Sequence, residues 1–263
     1  MERITSAHNQ LFKIFKQLAT QGKARRKLGQ TIFEGVHVCD ALLKSGGEPA
    51  YCIVSDGGLQ QAEVTGLIAR LDDATPVVNL PDSLFRSLSV VENGVGVAFV
   101  VGVPEVDDEP PVLTTDALLI DAVQDPGNVG ALLRTAAASG VTVAYLSEGS
   151  ASAWAPKTIR AGMGAHVAMT IYERVDLLDL VKKTTVPVRA TSLQASESVY
   201  QKDLTVPTAW IMGNEGAGVS AELLAACGDN TVIIPQDDGV ESLNVAAAAA
   251  VCLFEQRRQR MVQ

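Results

Sequence analysis

The chain has 263 residues, 47% of them hydrophobic, enough to bury a sizeable core in one large or two ordinary domains. Its 21 Lys and Arg against 30 Asp and Glu leave a formal net charge of −9. That excludes a uniformly basic polyanion binder, because such affinity comes from cationic side chains displacing condensed counterions. The charge is nonetheless uneven. Residues 1–44 hold eight basic and three acidic side chains, a net of +5, while the remainder holds 13 basic and 27 acidic, a net of −14. Such asymmetry points to a polyanionic partner for the basic part.

Cys39, Cys52, Cys227 and Cys252 form no CxxC pair and no cluster with histidine at metal-ligand spacing. They read as scattered buried thiols suited to a reducing cytosol, with no metal expected. The start of the chain lacks the basic and apolar regions of a signal peptide. The longest strongly apolar run, 245–254, is about half the length a membrane span needs. The expectation is a soluble, cytoplasmic protein without a membrane partner. His8, His37 and His166 lie far apart in sequence and read as structural or surface residues.

The first periodic element is a helix in which Leu11, Ile14, Phe15 and Leu18 recur on one stripe, with Lys13, Lys16 and Gln17 off it. Residues 21–30, rich in Lys and Arg and bounded by two glycines, read as an exposed basic loop. A strand at 31–33 and a helix at 36–43 come next. Apolar runs at 51–54, 76–80 and 95–101 then alternate with helical stretches at 59–71 and 82–88. This describes a small α/β domain over residues 1–102. Residues 103–112 carry three prolines and four acids without periodicity, which reads as an interdomain linker.

From 113 to 263 the pattern is again strand and helix: strands at 117–120, 141–146, 167–171, 188–191, 209–212 and 231–234, and helices at 129–138, 156–161, 175–181, 221–226 and 242–259. That alternation predicts a mainly parallel sheet with helices on both faces. Ligands on such sheets sit in loops leaving the carboxyl ends of the strands.

Three of those loops are unusual. After 117–120 comes Asp125-Pro-Gly-Asn128, with Asn128 a candidate N-cap and Val129, Leu132, Leu133 and Ala136 facing the sheet. Arg134 falls on the more polar side of this helix. After 209–212 come Gly213, Gly216 and Gly218 within six residues, where backbone amides can approach a ligand closely. The spacing is neither a P-loop nor the dinucleotide fingerprint, and Glu215 would repel a phosphate, favouring a neutral or cationic ligand. After 231–234 come Pro235 and then Ser242-Leu-Asn244 ahead of an alanine run. Ser242 is a candidate N-cap, and Asn244 costs helix propensity, which suggests a side-chain role.

Taken in order, N-x-G-x-x-x-R, G-N-E-G-x-G and I-P-(x6)-S-L-N-V over residues 113–260 resemble the motifs of the SpoU/TrmH family of RNA ribose 2'-O-methyltransferases. The first hundred residues look like the substrate-binding domain of many members, itself similar to small ribosomal-protein RNA-binding folds. The resemblance implies an α/β fold: a C-terminal, mainly parallel sheet (113–263) whose last segment is threaded into a trefoil knot, after a small α/β RNA-binding domain. It implies S-adenosylmethionine as cofactor, an RNA substrate and a homodimer. Large-subunit (23S) rRNA is the expected target, with tRNA methylation or an inactive ribosome-binding or assembly factor as alternatives.

Carried over residue by residue, the resemblance assigns the chemistry to Asn128, Arg134, Glu215, Ser242 and Asn244. Arg134 binds the target phosphate and assists loss of the 2'-proton, Asn128 and Asn244 orient the ribose and Arg134, and Glu215 holds the motif loops or subunit interface. Thr191, Ser192, Leu193, Gly213, Asn214, Gly218, Ile233, Ile234, Gln236 and Leu243 line the cofactor pocket. Relatives often carry Met where Gln236 stands, followed by small residues in place of Asp237 and Asp238. RNA contacts are expected from Lys13, Lys16, Lys23, Arg25, Arg26 and Lys27, with His8 and Asn9 beside them. With 5% aromatic residues, recognition by shape and phosphate is favoured over base stacking.

Overall fold

A computed structural model of the chain describes residues 1–263 apart from 92, 93, 108, 238, 240, 241, 262 and 263. It divides into two compact units, Met1–Glu105 with Trp154–Val167, and Val106–Ala153 with Ala168–Gln263. Among the described residues no helix is long and apolar enough to cross a membrane.

The first unit runs β1 (Glu2–Arg3), α1 (Gln10–Thr20), α2 (Gly22–Leu28), β2 (Gln30–Glu34), α3 (Val36–Lys44), β3 (Tyr51–Ser55), α4 (Ala62–Ile68), β4 (Val77–Leu80), α5 (Asp82–Leu88) and β5 (Val97–Gly102). Its sheet has the order β1-β4-β3-β5-β2, with β5 antiparallel to both neighbours and the other pairs parallel. Asn9 caps α1, its Oδ1 accepting from the amides of Leu11 at 2.8 Å and Phe12 at 3.1 Å. The helix buries Phe15 and Leu18 of the expected stripe and adds Phe12 and Ala19, while Leu11 is half-buried and Ile14 is exposed. Turning the face toward Phe12 removes a large aromatic surface from water, which outweighs leaving one Ile outside.

The basic segment expected as a loop is helical as α2. Ala, Arg, Lys and Leu are strong helix formers, and Arg25, Arg26 and Lys27 in the last turn complement the C-terminal end of the helix dipole. Arg25 points inward: it is buried, and its Nη1 donates to the Leu18 carbonyl at 2.9 Å. That carbonyl belongs to the last turn of α1, where helix geometry leaves no internal partner.

The chain continues through β6 (Ala117–Ile120), α6 (Pro126–Ser139), β7 (Val143–Leu146), α7 (Pro156–Gly162), β8 (Thr170–Glu173), α8 (Leu177–Lys183), β9 (Val188–Thr191), β10 (Ala209–Met212), α9 (Ala221–Cys227), β11 (Thr231–Val232) and α10 (Val245–Met261). Of these, α7 packs in the first unit, against β2. Trp154 and Ile159 are buried there, and Thr31 Oγ1 donates to the Trp154 carbonyl at 2.7 Å. Periodicity alone keeps all of 113–263 together, since it does not reveal which unit covers an apolar helix.

The second sheet is parallel throughout, in the order β11-β9-β10-β6-β7-β8. Side chains alternate across it. Leu119, Ile211, Tyr145 and Tyr172 join Leu177, Leu180 and Leu223 of α8 and α9 in one core layer, with the two tyrosine rings stacked at 4.9 Å. On the opposite face lies Trp210, fully buried, its indole Nε1 donating to Gln256 of α10 at 2.7 Å. Helix α6 contributes Val129, Leu132, Leu133 and Ala136, all at 0% exposure, as expected from the sequence. Each fully buried Val or Leu contributes about 1.5–3 kcal/mol. From β6 the chain winds out to β8, then returns to build β9, β10 and β11 on the other side. The switch between β6 and β10 is where such sheets open a crevice at the carboxyl ends of their strands.

Candidate active site

The loop after β6 is held in an unusual conformation. Ala122 has φ +52, its amide donates to Ser147 Oγ at 2.8 Å and its carbonyl accepts from Asn214 Nδ2 at 2.8 Å. Asp125 caps α6, its Oδ1 accepting from the Asn128 amide at 2.9 Å with Pro126 following at the first helical position. The expected cap was Asn128, which instead sits inside the first turn with its side chain pointing sideways. Arg134 lies six residues further along α6, about 9 Å by helix rise. It is exposed and, among the described residues, its guanidinium has no partner.

The loop after β10 is closed by backbone. Asn214 and Gly218 exchange amide–carbonyl bonds at 2.9 Å each, and Asn214 Oδ1 accepts from the amides of Gly216 at 2.9 Å and Ala217 at 3.0 Å. A Cβ at Gly213 would stand 2.2 Å from the Gly218 carbonyl carbon, and Gly218 itself has φ +71. The loop tolerates no side chain at Gly213, and a side chain at Gly218 would be strained.

This closure aims Glu215 at the first loop. Its Oε1 accepts from the Asp125 amide and from Asn128 Nδ2, both at 3.0 Å, and Oε2 accepts from the Gln124 amide at 3.2 Å. Partial burial disfavours the carboxylate, but the hydrogen bonds from the Asn128 side chain and the Asp125 and Gln124 amides outweigh it and hold the Glu215 pKa below the usual carboxylate range.

The third loop ends at Asn244. Its Oδ1 accepts from the amides of Ala246 at 2.9 Å and Ala247 at 3.3 Å, so Asn244 caps α10 in place of the expected Ser242. The helix begins at Val245, which puts Ser242 too far upstream to reach those amides. Asn244 Nδ2 donates to Asn128 Oδ1 at 3.0 Å. One chain of hydrogen bonds thus runs from the start of α10 through Asn244 and Asn128 to Glu215.

Beside it opens a cleft of about 500 Å³ over the carboxyl ends of β9, β10 and β11. Thr191, Ser192, Leu193, Gly213, Asn214, Glu215, Gly218, Ile234, Gln236, Ser242, Leu243 and Asn244 line it. Asn128, Arg134 and Ile233 are not on its wall; Ile233 is tied by its amide to the Glu197 carbonyl and by its carbonyl to the Val199 amide, each at 2.9 Å. Gln194, Met212, Val219, Leu224, Val245 and Ala248 also line the cleft. None of these was singled out in the sequence, although Val245 and Ala248 follow once α10 is known to start at Val245. Asp237 is exposed, and Asp238 lies outside the described residues.

In the first unit, Lys13, Lys23, Arg26 and Lys27 are exposed. Lys16 is half-buried with its ammonium on the Ser87 carbonyl, and Arg25 is turned into the core. Asn9 is occupied in capping α1. The four cysteines are buried, and burial pushes the Cys52 and Cys252 thiols up to about 12 and Cys227 to about 11.

Residues 117–254 match the SpoU rRNA Methylase family. The chain belongs to this family. Among SpoU relatives it is 35% identical over 259 residues to the 23S rRNA (guanosine(2553)-2'-O)-methyltransferase RlmP of Bacillus subtilis, covering 98% of this chain and 100% of that one. The fold is similar to that of the SpoU methyltransferase AviRb from Streptomyces viridochromogenes in complex with the cofactor AdoMet, with a TM-score of 0.84 at 26% identity, covering 97% and 99% of the two chains. It is also similar to the AdoMet-bound rRNA methyltransferase from Sinorhizobium meliloti, with a TM-score of 0.80 at 27% identity and 98% of each chain covered. The SpoU match spans the loops that carry Asn128, Glu215 and Asn244, and both structural likenesses extend through the first unit.

Proposed function

We propose that the protein transfers a methyl group from S-adenosylmethionine to a ribose 2'-hydroxyl of large-subunit (23S) rRNA. The observation that carries this reading is the Asn244–Asn128–Glu215 chain of hydrogen bonds, which draws all three motif loops to one rim of the cleft.

The cleft suits the cofactor. Its volume is within the range of nucleotide-sized pockets. The Gly213 backbone leaves no room for a side chain against the loop, and Glu215 supplies a negative charge near a site for a cationic ligand. Thr191–Leu193, Gly213–Asn214, Gly218, Ile234, Gln236 and Leu243 would hold the ligand. When bound, S-adenosylmethionine supplies the electrophilic methyl carbon.

The chain's own residues then position the acceptor. Arg134, unpaired within the described residues, is free to bind an RNA phosphate beside the target ribose. A guanidinium offers only hydrogen-bond donors and a positive charge, so Arg134 stabilises the oxygen that loses its proton rather than accepting that proton itself. Asn128 has both ends of its amide engaged within the chain, which makes it a strut between Glu215 and Asn244 rather than a ribose ligand. Holding acceptor and methyl donor in line is where most of the acceleration arises.

The first unit is the RNA-binding part in this reading, with Lys13, Lys16, Lys23, Arg26 and Lys27 meeting phosphates. The protein works in the cytoplasm as a homodimer with its last segment threaded as a knot. Ala247, Phe254, Arg258 and Met261 form an exposed stripe on α10, and Phe254 and Met261 supply apolar surface for a second copy. Incubation of purified protein with S-adenosylmethionine carrying a labelled methyl group, and separately with unmodified rRNA and tRNA, tests the reading. Transfer to rRNA ribose supports it, and label on tRNA alone overturns the target.

A further inference from the structure

We infer that α7 completes the RNA-binding face of the first unit, its Arg160 guanidinium taking a backbone phosphate of the strand that α2 holds. This rests on the reading of the first unit as the RNA-binding part.

Helix α7 comes late in the chain, inside the residues 117–254 that match the SpoU family, yet it packs with Met1–Glu105. It lies along β2, the edge strand of the first sheet. Thr31 Oγ1 meets the Trp154 carbonyl near the start of that strand. Beyond its far end, Arg160 Nη1 stands 3.9 Å from where a Cβ on Gly35 would be. Helix α2 closes on Gly29, immediately before β2. From Gly29 to Gly35 an extended chain covers about 20 Å, a span of several phosphates in one nucleic-acid strand.

Both helices at this edge are basic. Lys23, Arg26 and Lys27 of α2 and Lys157 and Arg160 of α7 are exposed, and neither helix contains an acidic residue. Elsewhere many exposed cations are paired with carboxylates, as in Arg3–Asp56, Arg70–Asp40, Arg174–Glu148 and Lys183–Asp179. Lys23, Arg26, Lys27 and Arg160 have no hydrogen bond or ion pair among the described residues. Uncompensated like charges along one edge repel, and a polyanion laid against them relieves that repulsion while releasing its counterions. Neither helix carries an aromatic side chain on which a base would stack, so the ligand is the sugar–phosphate backbone rather than a base. A guanidinium can give two parallel hydrogen bonds to one phosphate, which suits Arg160 to this contact.

Filter binding of the full chain and its Arg160→Gln and Arg160→Lys variants to an unmodified 23S rRNA transcript, across a salt series, tests this. Arg160→Gln is expected to bind more weakly, with a log–log salt dependence shallower by roughly 0.7–0.9, the loss of one phosphate contact. Arg160→Lys keeps the charge and is expected to keep the slope. The thermal midpoint and the affinity for S-adenosylhomocysteine are expected to stay as in the natural chain, because Arg160 has no partner among the described residues to lose. A slope for Arg160→Gln equal to that of the natural chain overturns the inference and leaves the functional reading standing. A fall in thermal midpoint that accompanies the weaker binding does the same, since it assigns Arg160 to the fold. No binding of the transcript by the natural chain overturns both.

Discussion

Asn244 donates to Asn128 at 3.0 Å across 116 residues of sequence, joining the cap of α10 to the first turn of α6. Asn128 in turn donates to Glu215, so it bridges the other two and its removal takes a partner from both. The single substitutions Asn128→Ala and Asn244→Ala should each lower stability and cofactor affinity, and the double variant should lose less than their sum. A double-mutant cycle by denaturant unfolding should return a coupling of about 1 kcal/mol. Strict additivity would show that the bond carries no energy.

Gly213→Ala should be among the most damaging single-methyl changes in the chain. The added carbon would meet the Gly218 and Val219 backbone at 2.2 Å, and backbone cannot swing aside as a flexible side chain would. A cost of about 1–3 kcal/mol from overpacking, with loss of cofactor binding, is expected in denaturant melts and calorimetry. A variant as stable as the natural chain, with intact binding, would contradict the closed loop.

Much of this is legible in the amino-acid sequence. The strands at 117–120, 188–191 and 209–212 and the buried face of α6 follow from apolar spacing. The motif residues on the cleft wall follow from the resemblance of the three loops to the SpoU/TrmH motifs. What is not legible comes from competition between equally good local signals. Asn128, Asp125, Ser242 and Asn244 are all capping residue types, and tertiary contacts decide that Asp125 and Asn244 cap. The basic run 22–28 has both loop and helix character, and docking of Arg25 on the Leu18 carbonyl favours the helix. Packing of 154–167 with the first unit is a non-local contact that no short window contains.

Arg25 and its neighbours should separate in experiment. Reversing Lys23, Arg26 and Lys27 to Glu should weaken RNA binding and flatten its salt dependence by roughly 0.7–0.9 for each phosphate no longer neutralised, with affinity for S-adenosylhomocysteine unchanged. Arg25→Ala should leave the salt slope alone and cost about 1–3 kcal/mol of stability, because it withdraws a charged donor from a buried carbonyl. Filter binding across a salt series, with melts alongside, distinguishes the two. An unchanged slope in the triple variant would remove α2 from the RNA surface.

Glu215 sets an acid limit. Its pKa in the folded chain is depressed, so the stabilisation from its clasp is fully present above the unfolded carboxylate value of about 4.3 and lost as pH falls through the lower folded value. The thermal midpoint gap between the natural chain and Glu215→Gln should be constant from about pH 5 to 7 and close only in stronger acid. A gap independent of pH throughout would mean that the clasp does not depend on the carboxylate charge.

Ribose methylation is tested by mapping 2'-O-methyl groups across total RNA from cells with and without this protein. Methylation at a defined 23S rRNA ribose is expected to disappear with the protein, to return with the natural chain and not to return with Arg134→Ala. An unchanged map, or a loss confined to tRNA, would contradict it.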